Sequence, residues 1–328
     1  MTNNKAGQPR CSIVIRAFNE EEHLGKLLTG IMNQTIQDRE IILVDSGSTD
    51  ATLEIASKFP VKIVQITPAE FTFGRSLNKG VAVAAGEFVV IISAHCYPVY
   101  PDWLEQLLKP FEDPRIAVCY GKQRGSVTNH YSEKQFFRNY FPDISQPNQG
   151  QPYTHNANAA IRKSLWEQHP YDEQLTGLED LAWSSWAKEQ NYSIAYVASA
   201  EIIHIHDETI KQVQNRYRRE AIAMKQILPS SQFSIRNMIS MIIRKAVKDI
   251  SQARKDRVLS KEILNILRFR AFQYLGTWQG YRYSGKIDHQ LHKQFYYPPQ
   301  MLAEKTPESR PVEPINYHAE LDEERKNL

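Results

Sequence analysis

Between residues 12 and 111, short β-rich runs alternate with helical patterns, and no other feature of the chain constrains its fold as much. Ser12-Ile13-Val14-Ile15 reads as a buried strand. Residues 20–32 follow, with Leu24, Leu27, Leu28 and Ile31 at helical spacing. A second strand reads over 40–44. Ser48 and Asp50 then offer side-chain caps for a helix carrying Leu53, Ile55 and Ala56. Further strands are predicted over 61–66 and 88–92, and helices over 75–85, stopped by Gly86, and 103–111. This βαβα order predicts an α/β fold with a mostly parallel sheet and helices on both faces. Ligands of such sheets bind outside the carboxyl ends of the strands.

The residues after each strand are therefore the candidate site. Arg16-Ala17-Phe18-Asn19-Glu20-Glu21 follows the first, Asp45-Ser46-Gly47-Ser48-Thr49-Asp50 the second, and Ser93-Ala94-His95-Cys96 the fourth. No Gly-x-Gly-x-x-Gly follows the first strand, and no Gly-Lys-Ser/Thr loop occurs. A nucleotide site here would rest on acidic residues and a metal. Cys11, Cys96 and Cys119 are scattered without a Cys-x-x-Cys pair, which argues against a thiolate zinc site and fits a reducing compartment. The first residues lack an apolar leader, and the apolar run 88–92 is too short to span a bilayer. The expectation is a cytoplasmic chain, soluble or peripheral at the inner membrane face.

The pattern loosens over 127–153, rich in Asn, Gln and Pro, and reads as a long loop or an acceptor-side segment. Order returns over 158–166, with a helix over 178–189 and a strand over 193–197. Charge then changes sign. Residues 1–210 hold 18 Lys and Arg against 25 Asp and Glu, residues 211–286 hold 17 against 4, and the remainder 5 against 8. This divides the chain into 1–210, a basic helical region over 211–300 and a charged, disordered tail over 301–328. Over 233–250 apolar residues at 235, 238, 239, 242, 243, 246, 247 and 250 mark one helix face, with Arg236, Arg244 and Lys248 elsewhere. Phe269, Phe272, Tyr274, Trp278, Tyr281 and Tyr283 add aromatic surface. A basic amphipathic helix of this kind suits a membrane surface. Packing on the core and a contact in a homo-oligomer are the open alternatives. No nucleic-acid recognition motif accompanies the charge.

Five segments, in order, carry a resemblance: SIVIRAFNEEEHL, ILVDSGSTDAT, FGRSLNKGVAVAAGEFVVIISAHCYP, NANAAIRKSLWEQHPYDEQLTGLEDLAW and the His204-x-His206 pair. Together they resemble family 2 glycosyltransferases with the GT-A fold over about residues 11–210. Within that family they look most like the rhamnosyltransferase-like enzymes of surface polysaccharide assembly. The resemblance implies an inverting transfer of a sugar from a nucleotide-diphosphate donor, UDP or dTDP in type, to a glycan or glycolipid acceptor. It implies Asp180 as the base that takes the acceptor hydroxyl's proton, with Glu179 beside it. It implies donor contacts from Asn19, Glu20, Asp45, Arg75, Asn78, Ser93, Asn156 and Asn158. Asp45 would accept a hydrogen bond from the nucleobase, or cap its own turn. Asp50 would cap the next helix, and Arg75 could equally be a surface arginine.

One departure stands out. The family's Asp-x-Asp is replaced here by Ser93-Ala94-His95. The expected divalent ion, Mn2+ or Mg2+, would then be held by His95 and His204, with His206 able to exchange with His204 or lie exposed. The alternatives are histidines that bind phosphate directly, and a non-catalytic nucleotide-sugar scaffold. A nucleotidyltransferase would show a Gly-rich loop after the first strand, and RAFNEE is not one.

Overall fold

Strand β1 (Cys11–Ala17) sends Ile13 and Ile15 into one apolar core and Val14 into another. That two-faced burial is what a strand covered on both sides requires. The computed structural model describes residues 8–285, 312, 313, 315 and 317. In it β1 is followed by α1 (Leu24–Met32), β2 (Arg39–Asp45), α2 (Thr52–Ser57), β3 (Val61–Gln65), α3 (Phe73–Ala82) and β4 (Phe88–Ser93). These four strands pair in parallel in the order β3-β2-β1-β4, as the alternation predicts.

The second half of the sheet departs from a parallel pattern. It comprises β5 (Cys96–Pro98), α4 (Trp103–Leu108), β6 (Ile116–Gly125), α5 (Tyr131–Tyr140), β7 (Asn158–Arg162), α6 (Lys163–Trp166), α7 (Glu179–Glu189) and β8 (Ser193–His204). The full order is β3-β2-β1-β4-β7-β6-β8-β5. β7 is antiparallel to both neighbours, β5 is antiparallel to β8, and β6 and β8 are parallel. The sheet is therefore mixed, the GT-A arrangement of one α/β sheet between helical layers.

Three local expectations need correction. The 127–153 segment contains α5, whose Phe136, Phe137 and Tyr140 pack into the second core. Gly86 does not end a helix, because α3 already stops at Ala82. It lies where a Cβ would meet the backbone of Cys11 and Ser12 at 2.6–2.7 Å, so glycine is needed for the close approach to β1. The aromatic residues of 268–285 do not form one exposed surface: Phe269 and Tyr274 are buried, Trp278, Tyr281 and Tyr283 are half-buried, and Phe272 is exposed.

The basic region forms α8 (Ile210–Ile227), α9 (Ile235–Lys255) and α10 (Leu259–Tyr281). Capping boxes at Thr209/Gln212 and Ser234/Asn237 start the first two. Buried Arg270 ties α10 to α9 and to α5. It donates to Asp249 on α9 at 2.7 Å, to Gln273 on α10, and to the Ser132 carbonyl on α5. Ile315 and Tyr317 bond to the Val99 and Pro98 carbonyls. The rest of the expected tail, except residues 312 and 313, and residues 286–300 lie outside the described residues. Among the described residues no helix is long and apolar enough to cross a membrane. Removing one partner of a buried ion pair costs about 3–5 kcal/mol. Asp249→Ala is therefore expected to lower stability by about that amount in urea unfolding, and Asp249→Asn, which keeps an acceptor, by less.

Candidate active site

The topology gathers the candidate residues at one sheet edge. β1, β2 and β4 end there. Antiparallel β7 begins there, with Asn158 opposite Ile92. β5 pairs Cys96 with His204, which brings His95 beside the end of β8. These ends frame a cavity of about 350 Å³, walled by Arg16, Glu20, Ser93, His95, Asp180 and His204. Its opposite wall is Tyr217, Met224, Met241, Lys245, Tyr274 and Tyr281 from α8, α9 and α10. The C-terminal helices thus share the cavity with the strand ends.

The acidic doublet opens α7. Leu178 precedes it at φ 59°, a left-handed conformation that strains a leucine and re-aims the chain. The helix dipole favours negative charge at Glu179 and Asp180. Their surroundings differ. Glu179 is ion-paired with Arg16 at 3.2 Å and accepts from the Asn156 amide side chain. Asp180 accepts backbone N–H bonds from Asn156 at 3.1 Å and Leu181 at 2.8 Å. Burial, and then the charge of Glu179, push its carboxyl up to about 7. A carboxyl that exchanges its proton near neutrality in a cavity wall is suited to general-base work.

His95, His204 and His206 form the second group. All three are buried, and one ring nitrogen of each lies within 4.8 Å of the others. His206 is therefore buried beside His204 rather than exposed. Each Nδ1 faces a side-chain oxygen: Glu20 Oε1 at 2.7 Å for His95, Gln123 Oε1 at 2.8 Å for His204, and Glu133 Oε1 at 2.8 Å for His206. Burial and the neighbouring imidazoles hold His204 well below the usual histidine range, so its ring is neutral. Burial likewise lowers nearby His155 to about 3. A buried set of imidazoles oriented by outer oxygens suits a divalent metal. Arg16, Gln123 and Glu133 were not singled out from the sequence. Arg16 had a signal, since it stands at a strand end.

The remaining candidates separate. Ser93 and Asn156 line the cavity. Asp45 is fully buried and accepts from the N–H groups of Gly47 and Ser48 and the Ser48 hydroxyl, so it caps its own turn. Gly47, at φ 88°, makes that turn possible. Asn19 ties the first strand-end loop to the second, accepting from Thr49 N–H and donating its own N–H to Ser48. Asp50 accepts from Thr52 N–H at the start of α2. Glu20 is engaged with His95 rather than held out for a donor. Arg75 and Asn78 face the loop before α7, both donating to Glu173, and neither lines the cavity. Asn158 is fully buried. It accepts from the Trp103 indole and donates to the Lys122 and Ala200 carbonyls, so its amide is spent on the sheet.

Residues 12–169 match the family described as Glycosyl transferase family 2. Over 222 residues the chain is 30% identical to the O-antigen chain rhamnosyltransferase WbaN of Salmonella anatum, covering 64% of this chain and 70% of that protein. It is 26% identical over 221 residues to the O-antigen chain rhamnosyltransferase RfbN of Salmonella typhimurium, covering 63% and 70%. Its fold is similar to that of the mannosyltransferase PcManGT from Pyrobaculum calidifontis, solved with GDP-Man and Mn2+. The TM-score is 0.57 at 16% identity, over 84% of this chain and 88% of that one.

Asn158→Ala would leave the Trp103 N–H and two buried carbonyls without a partner, at about 1–3 kcal/mol for each group. A lowered thermal midpoint with unchanged nucleoside-diphosphate affinity is expected. A loss of affinity at unchanged stability would return Asn158 to the binding surface.

Proposed function

The chain belongs to glycosyl transferase family 2 and is a nucleotide-sugar-dependent glycosyltransferase of polysaccharide synthesis; from that premise we propose that it inverts configuration, with Asp180 as the base. The observation that carries this reading is the divided doublet: Glu179 is tied to Arg16, while Asp180 titrates near neutrality in the wall of the shared cavity. In a single displacement the acceptor hydroxyl gives its proton to the Asp180 carboxylate. Its oxygen forms the new bond to the anomeric carbon. The bond from that carbon to the diphosphate breaks, and the nucleoside diphosphate leaves with the electron pair. Glu179 holds Asn156 and Arg16 in register, and Asn156 N–H orients the base.

Ser93 and Asn156 are the proposed donor contacts, and the turn built by Asn19 and Asp45 supports them. A divalent ion held by His95 and His204 would neutralise charge developing on the diphosphate. The helical wall supports an acceptor that is part apolar, with Lys245 and Lys248 among its aromatic and methionine residues. The sugar is proposed to be a deoxyhexose such as rhamnose, following the named relatives.

Asp180→Asn is expected to keep donor affinity, read by calorimetry, and to lose about 10²–10⁴-fold in turnover. In the unsubstituted enzyme kcat/KM should rise with pH through about 7 and then level, because the base works only when ionised. An Asp180→Asn enzyme that keeps full turnover would remove the base from this reading.

The acceptor's source follows from α9. Ile235, Ile239, Ile243 and Val247 recur every fourth residue and are exposed, beside exposed Leu264 and Leu267 of α10. Exposed Arg236, Arg244, Arg254, Lys255 and Arg268 surround them. Pairing this face with its copy would oppose like charges, whereas an anionic bilayer complements both its charge and its apolar stripe. Peripheral attachment at the cytoplasmic face is proposed, with Met241, Lys245 and Lys248 on the inner side of α9 facing the acceptor cavity. Ile239→Glu with Ile243→Glu should reduce cosedimentation with anionic phospholipid vesicles about tenfold or more while leaving transfer to a soluble acceptor analogue intact.

A further inference from the structure

The three histidines differ from an acidic metal motif in a way that bears on which ion they take. His95 stands just before β5, His204 ends β8, and His206 lies two residues on, where Cys96 pairs with His204. Their ring centroids lie 4.1–5.9 Å apart. One ring nitrogen of each lies within 4.8 Å of the other two, and all three residues are buried.

The outer contacts determine which nitrogen faces inward. Glu20, Gln123 and Glu133 each present an oxygen to an Nδ1 atom, at 2.7–2.8 Å. A carboxylate or amide oxygen accepts, so the proton sits on Nδ1 and the lone pair on Nε2. Three imidazoles from two chain segments are thus fixed in one tautomer by three separate oxygens. The Glu133 carboxylate is itself held, accepting from Arg216 as well as His206. Three buried imidazoles, each oriented by an outer carboxylate or amide oxygen, suit a metal centre.

We propose that His95, His204 and His206 together form a three-imidazole site for nitrogen-seeking first-row ions, with His206 a full ligand and Glu20, Gln123 and Glu133 its positioning residues. This deepens the metal part of the proposed function. Mg2+ prefers oxygen ligands and gives up its water reluctantly. Imidazole favours Fe2+, Co2+, Ni2+ and Zn2+, and affinity at such ligands rises from Mn2+ to Co2+. The site is expected to bind Co2+ more tightly than Mn2+, and Mn2+ more tightly than Mg2+. Negative charge is kept to the outer oxygens, so the ion would retain most of its charge for the donor's diphosphate.

The test uses the full-length protein without nucleotide or acceptor, titrated with Co2+ and followed by the visible d–d spectrum and by calorimetry. The expected result is one bound Co2+ with nitrogen-type bands, displaced by Mn2+ only in excess and not by a hundredfold excess of Mg2+. His206→Ala should weaken Co2+ and change the bands. Gln123→Ala, which removes no ligand, should weaken Co2+ by about 10–100-fold. That second variant keeps the test open if His206→Ala does not fold. Mg2+ competing on equal terms, or an unchanged Co2+ spectrum in both folded variants, would overturn the proposal. Binding of UDP, dTDP and GDP is measured in parallel: a protein that binds a diphosphate but shows no selective Co2+ site loses this inference and keeps its transferase reading.

Discussion

Glu133 holds a negative charge where water does not reach, and three elements are arranged around it. Its carboxylate, on α5, accepts from His206 beyond the end of β8 and from Arg216 on α8. Burial opposes the charge, but Arg216 and His206 outweigh it and keep the carboxyl well below its usual range. A buried carboxylate without such partners would cost several kcal/mol. The geometry is therefore obligatory: α5, α8 and the β8 end must meet at one point. Arg216 also pairs with Glu208, which fixes the turn into α8. α8 packs along α10, where Gly276 and Gly280 let the helices approach the Gln214 and Arg218 carbonyls. Arg270 of α10 then pairs with Asp249 of α9. A line of contacts, with buried ion pairs at either end, runs from the histidine cluster to α9.

That line explains why one cavity has two unlike walls. The strand ends and the first turn of α7 supply the imidazoles, the acidic doublet and the small polar groups. The helices supply aromatic and methionine surface with two lysines. Phe233 stacks on Tyr274 and Tyr281 and closes the helical side. A sugar nucleotide and a partly apolar acceptor have opposite requirements, and each wall meets one of them. The basic charge of 211–286 divides in the same way. Arg216, Arg219 and Arg270 are buried, while Arg236, Arg244 and Arg268 remain outside.

How far the sequence could be read depended on whether a residue's partner was local. The parallel half of the sheet was legible because each strand and helix carries its own periodicity. The antiparallel half was not, because strand direction depends on pairings such as Asn158 with Ile92, which leave no periodic trace. α5 was hidden by its Asn, Gln and Pro flanks, although its aromatics lie at helical spacing. In the site, His95 stood out by its place after a strand, and Glu179, Asp180 and His204 through the family resemblance; all four line one cavity. His206 was seen but left ambiguous, since only the fold shows that it is buried beside the other two. Gln123 and Glu133 are 81 and 73 residues from the histidines they bind, and no spacing rule connects them. Asn78 and Arg75 lie outside the cavity wall and Asn158 is buried in the sheet; Asn78 and Arg75 bond to partners 88 to 98 residues away and Asn158 to partners 36 to 55 away, which no local pattern shows.

The replacement of Asp-x-Asp by Ser93-Ala94-His95 has an electrostatic reading that joins the two groups in the cavity. Glu20, Glu179 and Asp180 already line it. Two further carboxylates at 93 and 95 would add like charge, and like charge raises a buried carboxyl. Asp180, already lifted to about 7 by burial and Glu179, would then be protonated over more of the neutral range and poorer as a base. Imidazoles offer ligand atoms without adding that charge. Glu20 supplies the oxygen that orients His95. Arg16 absorbs the charge of Glu179, so only one acid of the doublet is left to exchange a proton. The histidine cluster and the near-neutral base are thus two consequences of one requirement: a crowded cavity already lined by Glu20, Glu179, Asp180 and Glu220 tolerates few further negative charges.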